Sequence, residues 1–152
     1  MRGELADRRA LVVDASAIGR WFIKNPPFLD KTNQLQSDFD EGKFTLVAPE
    51  NMIHEVTGAI HHAIVAGRLL PQSGLALLDR LLDLDATIVE TDQLVRPAFE
   101  LSLRYGCSYY DAIYLEIARR HNYPFIHADG NLKRALAGRF TLEIWIQDYV
   151  TS

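Results

Sequence analysis

The sequence has a single cysteine, Cys107, which excludes an internal disulfide and any zinc cluster built on cysteine thiolates. Set among apolar neighbours, that thiol reads as a core side chain. No uninterrupted apolar run approaches the roughly 20 residues of a membrane-spanning helix. Residues Met1 to Arg9 lack a hydrophobic signal core, so a cytoplasmic protein without membrane contact is expected. Basic residues are not in excess: 16 Lys and Arg stand against 20 Asp and Glu, a formal net charge of −4. Attraction of the whole molecule to nucleic acid is therefore not expected, and any contact with a polyanion has to be local, through a few cations or metal ions. Two common catalytic patterns are incomplete. His54-Glu55 begins a zinc-protease motif, but H-E-x-x-H needs a histidine where Gly58 stands, which leaves His61 and His62 for the exposed side. Gly42-Lys43 runs into Phe44 and lacks the upstream glycine of a phosphate loop.

What is present is enough for one domain with a full core: 152 residues, 48% of them hydrophobic, with no repeat or linker. The apolar run from Ala10 to Val13, continued by Ala15, reads as a strand buried on both faces and ended by Asp14. A short helix carrying Ile18, Trp21 and Phe22 follows and is broken at Asn25-Pro26-Pro27. A second helix is expected over about 31–41, ended by Gly42, and a strand over 44–48, closed by Pro49. The helix at about 50–66 carries the stripe Met52, Val56, Ala59, Ile60 and Ala63. Pro71 opens the next, whose core face is expected to include Leu75, Leu78 and Leu82. Strand 86–89, helix 93–105, a helix beginning at Ser108, strand 123–128, a short helix from Asp129 and strand 140–146 complete the alternation. Alternating strands and helices imply an α/β domain with a parallel sheet covered on both sides.

Four carboxylates sit where a plain core would not have them. Asp14 and Asp129 end apolar strands, where either could also cap the following helix. Asp111 lies in a helix apolar almost all round, where a charge needs a partner or the helix dipole. Glu55 flanks the Met52/Val56/Ala59 stripe, between core and solvent. If the first and fourth strands are neighbours at the switch point of the sheet, one edge gathers all four. Such a cluster repels itself unless a divalent cation neutralises it, and oxygen-only ligands favour Mg²⁺ or Mn²⁺. Acidic pockets holding these ions activate water for phosphodiester hydrolysis. Arg8-Arg9, Arg119-Arg120 and Lys133-Arg134 read as solvated surface, although Lys133 and Arg134 stand close enough to Asp129 to touch a phosphate.

The set Asp14-Ala15-Ser16, Glu55-Val56, Tyr110-Asp111-Ala112-Ile113-Tyr114-Leu115 and Ala128-Asp129 resembles PIN-domain ribonucleases, most closely VapC-type toxins of toxin–antitoxin pairs. The resemblance spans nearly the whole chain, residues 1–152 as a single PIN-like domain. It implies a five-stranded parallel sheet in the order 3-2-1-4-5, flanked by helices on both sides. It implies that Asp14, Glu55, Asp111 and Asp129 are the catalytic acids, that Asp14, Asp111 and Asp129 hold Mg²⁺ or Mn²⁺, and that Glu55 ligates or positions the attacking water. Ser16 matches a hydroxyl expected to support the site from behind. It implies further an RNA substrate, a cognate antitoxin protein and a homodimer. One departure is His127, which stands where the family often has Thr or Ser. The expected function is a metal-dependent endoribonuclease, the toxin of such a pair; the alternative is a catalytically weak PIN-like protein-interaction module. A receiver-like binding domain fits less well, because it would need paired acids after the first strand and a lysine after the last. Finally, Trp21, Phe22, Phe28, Leu29, Leu35 and Phe39 crowd the first two helices, and an exposed groove for an antitoxin segment is expected there.

Overall fold

The apolar run of the N-terminal region becomes the middle strand of a parallel sheet. The computed structural model describes residues 9–151; Arg8, the segment before it and Ser152 lie outside the described residues. Strand β1 (Arg9–Val13) pairs on one side with β2 (Phe44–Pro49), which pairs with β3 (Ala86–Val89). On the other side β1 pairs with β4 (Phe125–His127), and β4 with β5 (Glu143–Trp145). All pairings are parallel and the order is β3-β2-β1-β4-β5, the expected arrangement. The chain therefore changes direction across the sheet between β1 and β4. The carboxyl ends of those two strands open a crevice, the place where ligands bind in open α/β sheets.

Among the described residues seven α-helices cover the two faces: α1 (Ala15–Phe22), α2 (Leu29–Asp40), α3 (Asn51–Val65), α4 (Pro71–Leu82), α5 (Val95–Tyr105), α6 (Tyr109–His121) and α7 (Gly130–Leu136). No described helix is long and apolar enough to cross a membrane. Leu11, Val12 and Val13 of β1 are fully buried, as are Leu46, Phe125 and Ile126 beside them. α6 is buried without a break from Ala112 to Ala118, including Glu116, whose carboxylate is held by Arg119 at 2.7 Å and Arg120 at 3.3 Å. The Arg119-Arg120 pair thus neutralises a buried acid rather than serving as plain surface.

Several elements differ from the sequence reading. β1 stops at Val13 because Asp14 turns to cap α1. β4 and β5 are shorter than expected, and β5 starts late because Phe140 is buried in a turn closed by Glu143 N donating to its carbonyl. On α4 the inward side is Gly74 and Leu81, while Leu75 and Leu82 are more than half exposed. The glycine explains the rotation: a Cβ there would strike the Ile64 side chain of α3, so the helix seats its smallest residue against its neighbour. The apolar groove expected on the first two helices is also corrected. Trp21, Phe22 and Leu35 are buried, and Trp21 stacks on Phe39 with ring centroids 5.6 Å apart. The large exposed apolar side chains lie elsewhere, among them Val95, Phe99 and Leu103 along one face of α5.

Candidate active site

Asp14 sits at the hinge between the central strand and α1. Its backbone N–H donates to the Ile126 carbonyl (2.9 Å), which ties it to the end of β4, and its Oδ2 accepts from Ser16 N (3.1 Å) as an N-cap. Asp14 is thus the helix cap that one sequence alternative named, and the cap uses one oxygen only. Oδ1 is buried with no hydrogen-bond partner. Burial above all, with Asp111 and Glu55 nearby, pushes the Asp14 carboxyl up to about 7, against the cap bond from Ser16. An orphaned buried carboxylate oxygen is costly and calls for a donor or a cation.

Glu55 projects from the second turn of α3, half-buried. Its Oε1 accepts from Asn51 Nδ2 one turn earlier (2.6 Å) and from the Tyr114 hydroxyl of α6 (3.0 Å). Both donors converge on one oxygen and leave Oε2 without a protein donor among the described residues. Sequence reading missed Asn51 and Tyr114 in this role. The i, i+4 spacing of Asn51 and Glu55 was a visible signal, whereas the reach of Tyr114 from another helix was not. Asp111 lies in the first turn of α6, whose N-cap Ser108 takes the Asp111 N–H on its Oγ (3.0 Å). Burial raises the Asp111 carboxyl, as does Asp129, and the Ser108 hydrogen bond works against that. Burial likewise raises Glu55, with Asp111 adding to it.

Asp129 caps α7 through Oδ1, accepting from Asn131 N (2.9 Å) and Leu132 N (3.4 Å). Its own N–H donates to His127 Nδ1 (3.2 Å). His127 is fully buried, and its Nε2 lies 2.7 Å from Glu143 Oε2 on β5. With Nδ1 accepting, Nε2 carries the proton and donates to Glu143, so one tautomer satisfies both contacts. His127 is therefore both a satisfied core histidine and a support for the Asp129 backbone. Ser16 closes the assembly by accepting from Ala128 N (3.0 Å) on its Oγ, joining the start of α1 to the end of β4.

The four acids reach a common edge, where Asp14 feels Asp111 and Glu55, and Asp111 feels Asp129. Among the described residues no three Asp, Glu, His or Cys side chains close into a ready-made metal cage. The donor set still fits a hard divalent cation: it is all oxygen, under mutual repulsion, with one buried oxygen unpartnered. Around the acids run adjoining hollows, one of about 450 Å³ between Glu55 and Asp111, one of about 420 Å³ between Asp111 and Asp129, and one of about 380 Å³ beyond Asp129 and Ser16. Lys133 lies over the Trp145 ring (4.9 Å) and Arg134 bonds Asn131, so neither cation is free to turn toward Asp129 without losing a local partner. Cys107 is half-buried, and its thiol is pushed up to about 11 by burial and Asp111, which keeps it protonated and unreactive.

Solved structures share this architecture. PAE2754 from Pyrobaculum aerophilum superposes with a TM-score of 0.66 at 19% identity, over 91% of this chain and 85% of that one. VapC20 from Mycobacterium tuberculosis, a sarcin-ricin loop cleaving toxin, does so with a TM-score of 0.64 at 16% identity, over 83% of this chain and 95% of its own. No curated protein matches the sequence. The PIN domain family profile matches residues 11–136, from the central strand through the helix capped by Asp129. By that match the chain belongs to the PIN domain family.

Proposed function

We propose that this protein is a Mg²⁺- or Mn²⁺-dependent endoribonuclease and the toxin of a toxin–antitoxin pair. The observation that carries the reading is Asp14: a fully buried carboxyl with one unpartnered oxygen, set in the field of Asp111 and Glu55 at the crevice of the sheet. Family membership makes nuclease chemistry the natural use of such a crevice, and a fold shared with a sarcin-ricin loop cleaving toxin supports RNA as the substrate. Asp14, Asp111 and Asp129 would hold the cation, which when bound neutralises the carboxylates and activates a water for attack on phosphorus. Glu55, anchored through Oε1 by Asn51 and Tyr114, presents Oε2 to orient that water and accept its proton. Ser16 and His127 hold the backbone on which Asp129 is mounted.

The test has a part without turnover. Mn²⁺ at about ten times its Kd stabilises the folded chain by about 1.4 kcal/mol, which raises the melting temperature by about 3–5 °C at this size. Asp111→Asn should shrink that rise, and a wild-type protein indifferent to both Mn²⁺ and Mg²⁺ would remove the metal from the reading. Tyr114→Phe keeps the core volume but takes one donor from Glu55, at a cost of about 1 kcal/mol. The loss raises the Glu55 pKa further, so cleavage falls about tenfold and the acidic limb of the pH–rate profile moves to higher pH. An unmoved profile would dismiss Glu55 as the oriented base.

In cells, expression of the chain alone should stop growth, co-expression of the adjacent gene product should relieve the arrest, and Asp111→Asn should be harmless. An antitoxin arginine set against the acids would neutralise them and displace the cation together. The reading includes a homodimer, checked by light scattering.

A further inference from the structure

The hollows around the acids share walls. Ser108 and Asp111 line both of the first two, and Asp129 lines both the second and the third, so the three adjoin in sequence around the acids as a track of neighbouring hollows. The ends of the track differ in chemistry. At one end stands Tyr110, 59% exposed, its ring set edge-on against Tyr109 with centroids 5.6 Å apart. At the other stand Arg20, Arg68 and His62, with Asp129 the only acid among the lining residues of that hollow. Arg20 is held in place: Nη1 donates to the carbonyls of Asn25 and Pro27, both at 2.9 Å, and the guanidinium lies over the Phe28 ring at 5.3 Å. Its other nitrogens have no acceptor among the described residues and are not sealed from solvent. Arg68 is exposed, with its backbone N–H tied to the Ala63 carbonyl (2.9 Å). Neither arginine makes an ion pair with a carboxylate among the described residues, in a chain whose net charge is −4.

Single-stranded nucleic acid is held by cations on its phosphates and exposed aromatic rings on its bases, and the two ends of this track offer one of each on either side of the acids. We infer that the track is the path of a single RNA strand, with a base stacked on Tyr110 on one side of the acids and backbone phosphates held by Arg20 and Arg68 on the other. The identity of the strand rests on the ribonuclease reading. The two anchors differ physically, because a phosphate contact releases counterions and a stacked base does not.

The experiment measures binding without turnover, on the full chain carrying Asp14→Asn in Mg²⁺. A labelled single-stranded RNA of about eight nucleotides is followed by fluorescence anisotropy from about 50 to 300 mM salt. Arg68→Gln should weaken binding about tenfold at low salt and flatten the slope of log K against log salt by about 0.7, the loss of one phosphate contact. Tyr110→Ala should weaken binding by about tenfold with the slope unchanged. Arg104→Gln, an exposed arginine on α5 outside the track, should change neither. An unaltered slope for Arg68→Gln overturns the inference, as does an equal effect of Arg104→Gln. Competition by polyglutamate with the same Arg68 dependence would assign that end to an acidic protein partner and overturn it as well. The two readings fail separately. Cleavage by the unmodified chain with an Arg68-independent slope sinks the track alone, and the expected binding pattern without any cleavage sinks the nuclease alone.

Discussion

Asp14→Asn abolishes RNA cleavage, by at least about 100-fold, and yet raises the melting temperature of the metal-free protein at pH 8. The first effect follows from the proposed role of Asp14 as a cation ligand in the crevice. The second follows from linkage. The Asp14 carboxyl is raised to about 7 in the folded chain from an ordinary 3.8. Below about pH 4 it is protonated in both states and burial carries no penalty. As pH climbs from about 4 to 7 the unfolded chain ionises first, so folding stability is lost through that window and the loss is complete above it. The full shift corresponds to about 4 kcal/mol. Asparagine escapes this loss but places an amide N–H₂ where no acceptor waits, a cost of about 2 kcal/mol at every pH, so the variant melts about 4–8 °C higher at pH 8 and about 4–8 °C lower at pH 4. Thermal melts of both proteins in EDTA across that range check it. A difference that does not vary with pH would mean that Asp14 is not the titrating group, and cleavage retained by the variant would remove it from the site.

Trp21→Ala lowers the melting temperature by about 10 °C, from a cavity cost of about 3–5 kcal/mol. Trp21 is 2% exposed, stacked on Phe39, and its indole nitrogen has no hydrogen-bond partner, so the side chain is held by packing alone. Below the transition the variant keeps its cleavage activity, because Trp21 does not touch the acids. Urea or thermal unfolding decides the matter: a variant as stable as the parent would return this face to the exposed groove that the residue types alone suggest.

Asp14 and Trp21 mark the two kinds of information in the chain. The strand ending in Asp14 was legible because a parallel strand buried on both faces is an uninterrupted apolar run. Alternation of such runs with helical stripes specified the α/β class, and residue types at strand ends nominated Asp14 and Asp129. Trp21, Phe22 and Leu35 were misjudged because a list of large apolar residues does not say how much neighbouring surface exists to bury them; α3 and β2 supply it. The face of α4 was misread for a related reason, since close helix approach selects the small Gly74 where a pattern rule looks for leucine.

The site divides in the same way. Local spacing gave the cap of Asp14 by its own helix and could have given the Asn51–Glu55 bond, since both lie within one turn. Three features came only with the tertiary structure: Tyr114 reaching Glu55 from 59 residues away, Glu143 fixing the His127 tautomer from the edge strand, and the unpartnered oxygen of Asp14. Sequence by itself determined which residues carry charge and which strands are buried, because those depend on side-chain chemistry and period. The tertiary structure alone decided which charges feel one another and which oxygens are left without a donor, because both depend on distances between elements far apart in the chain.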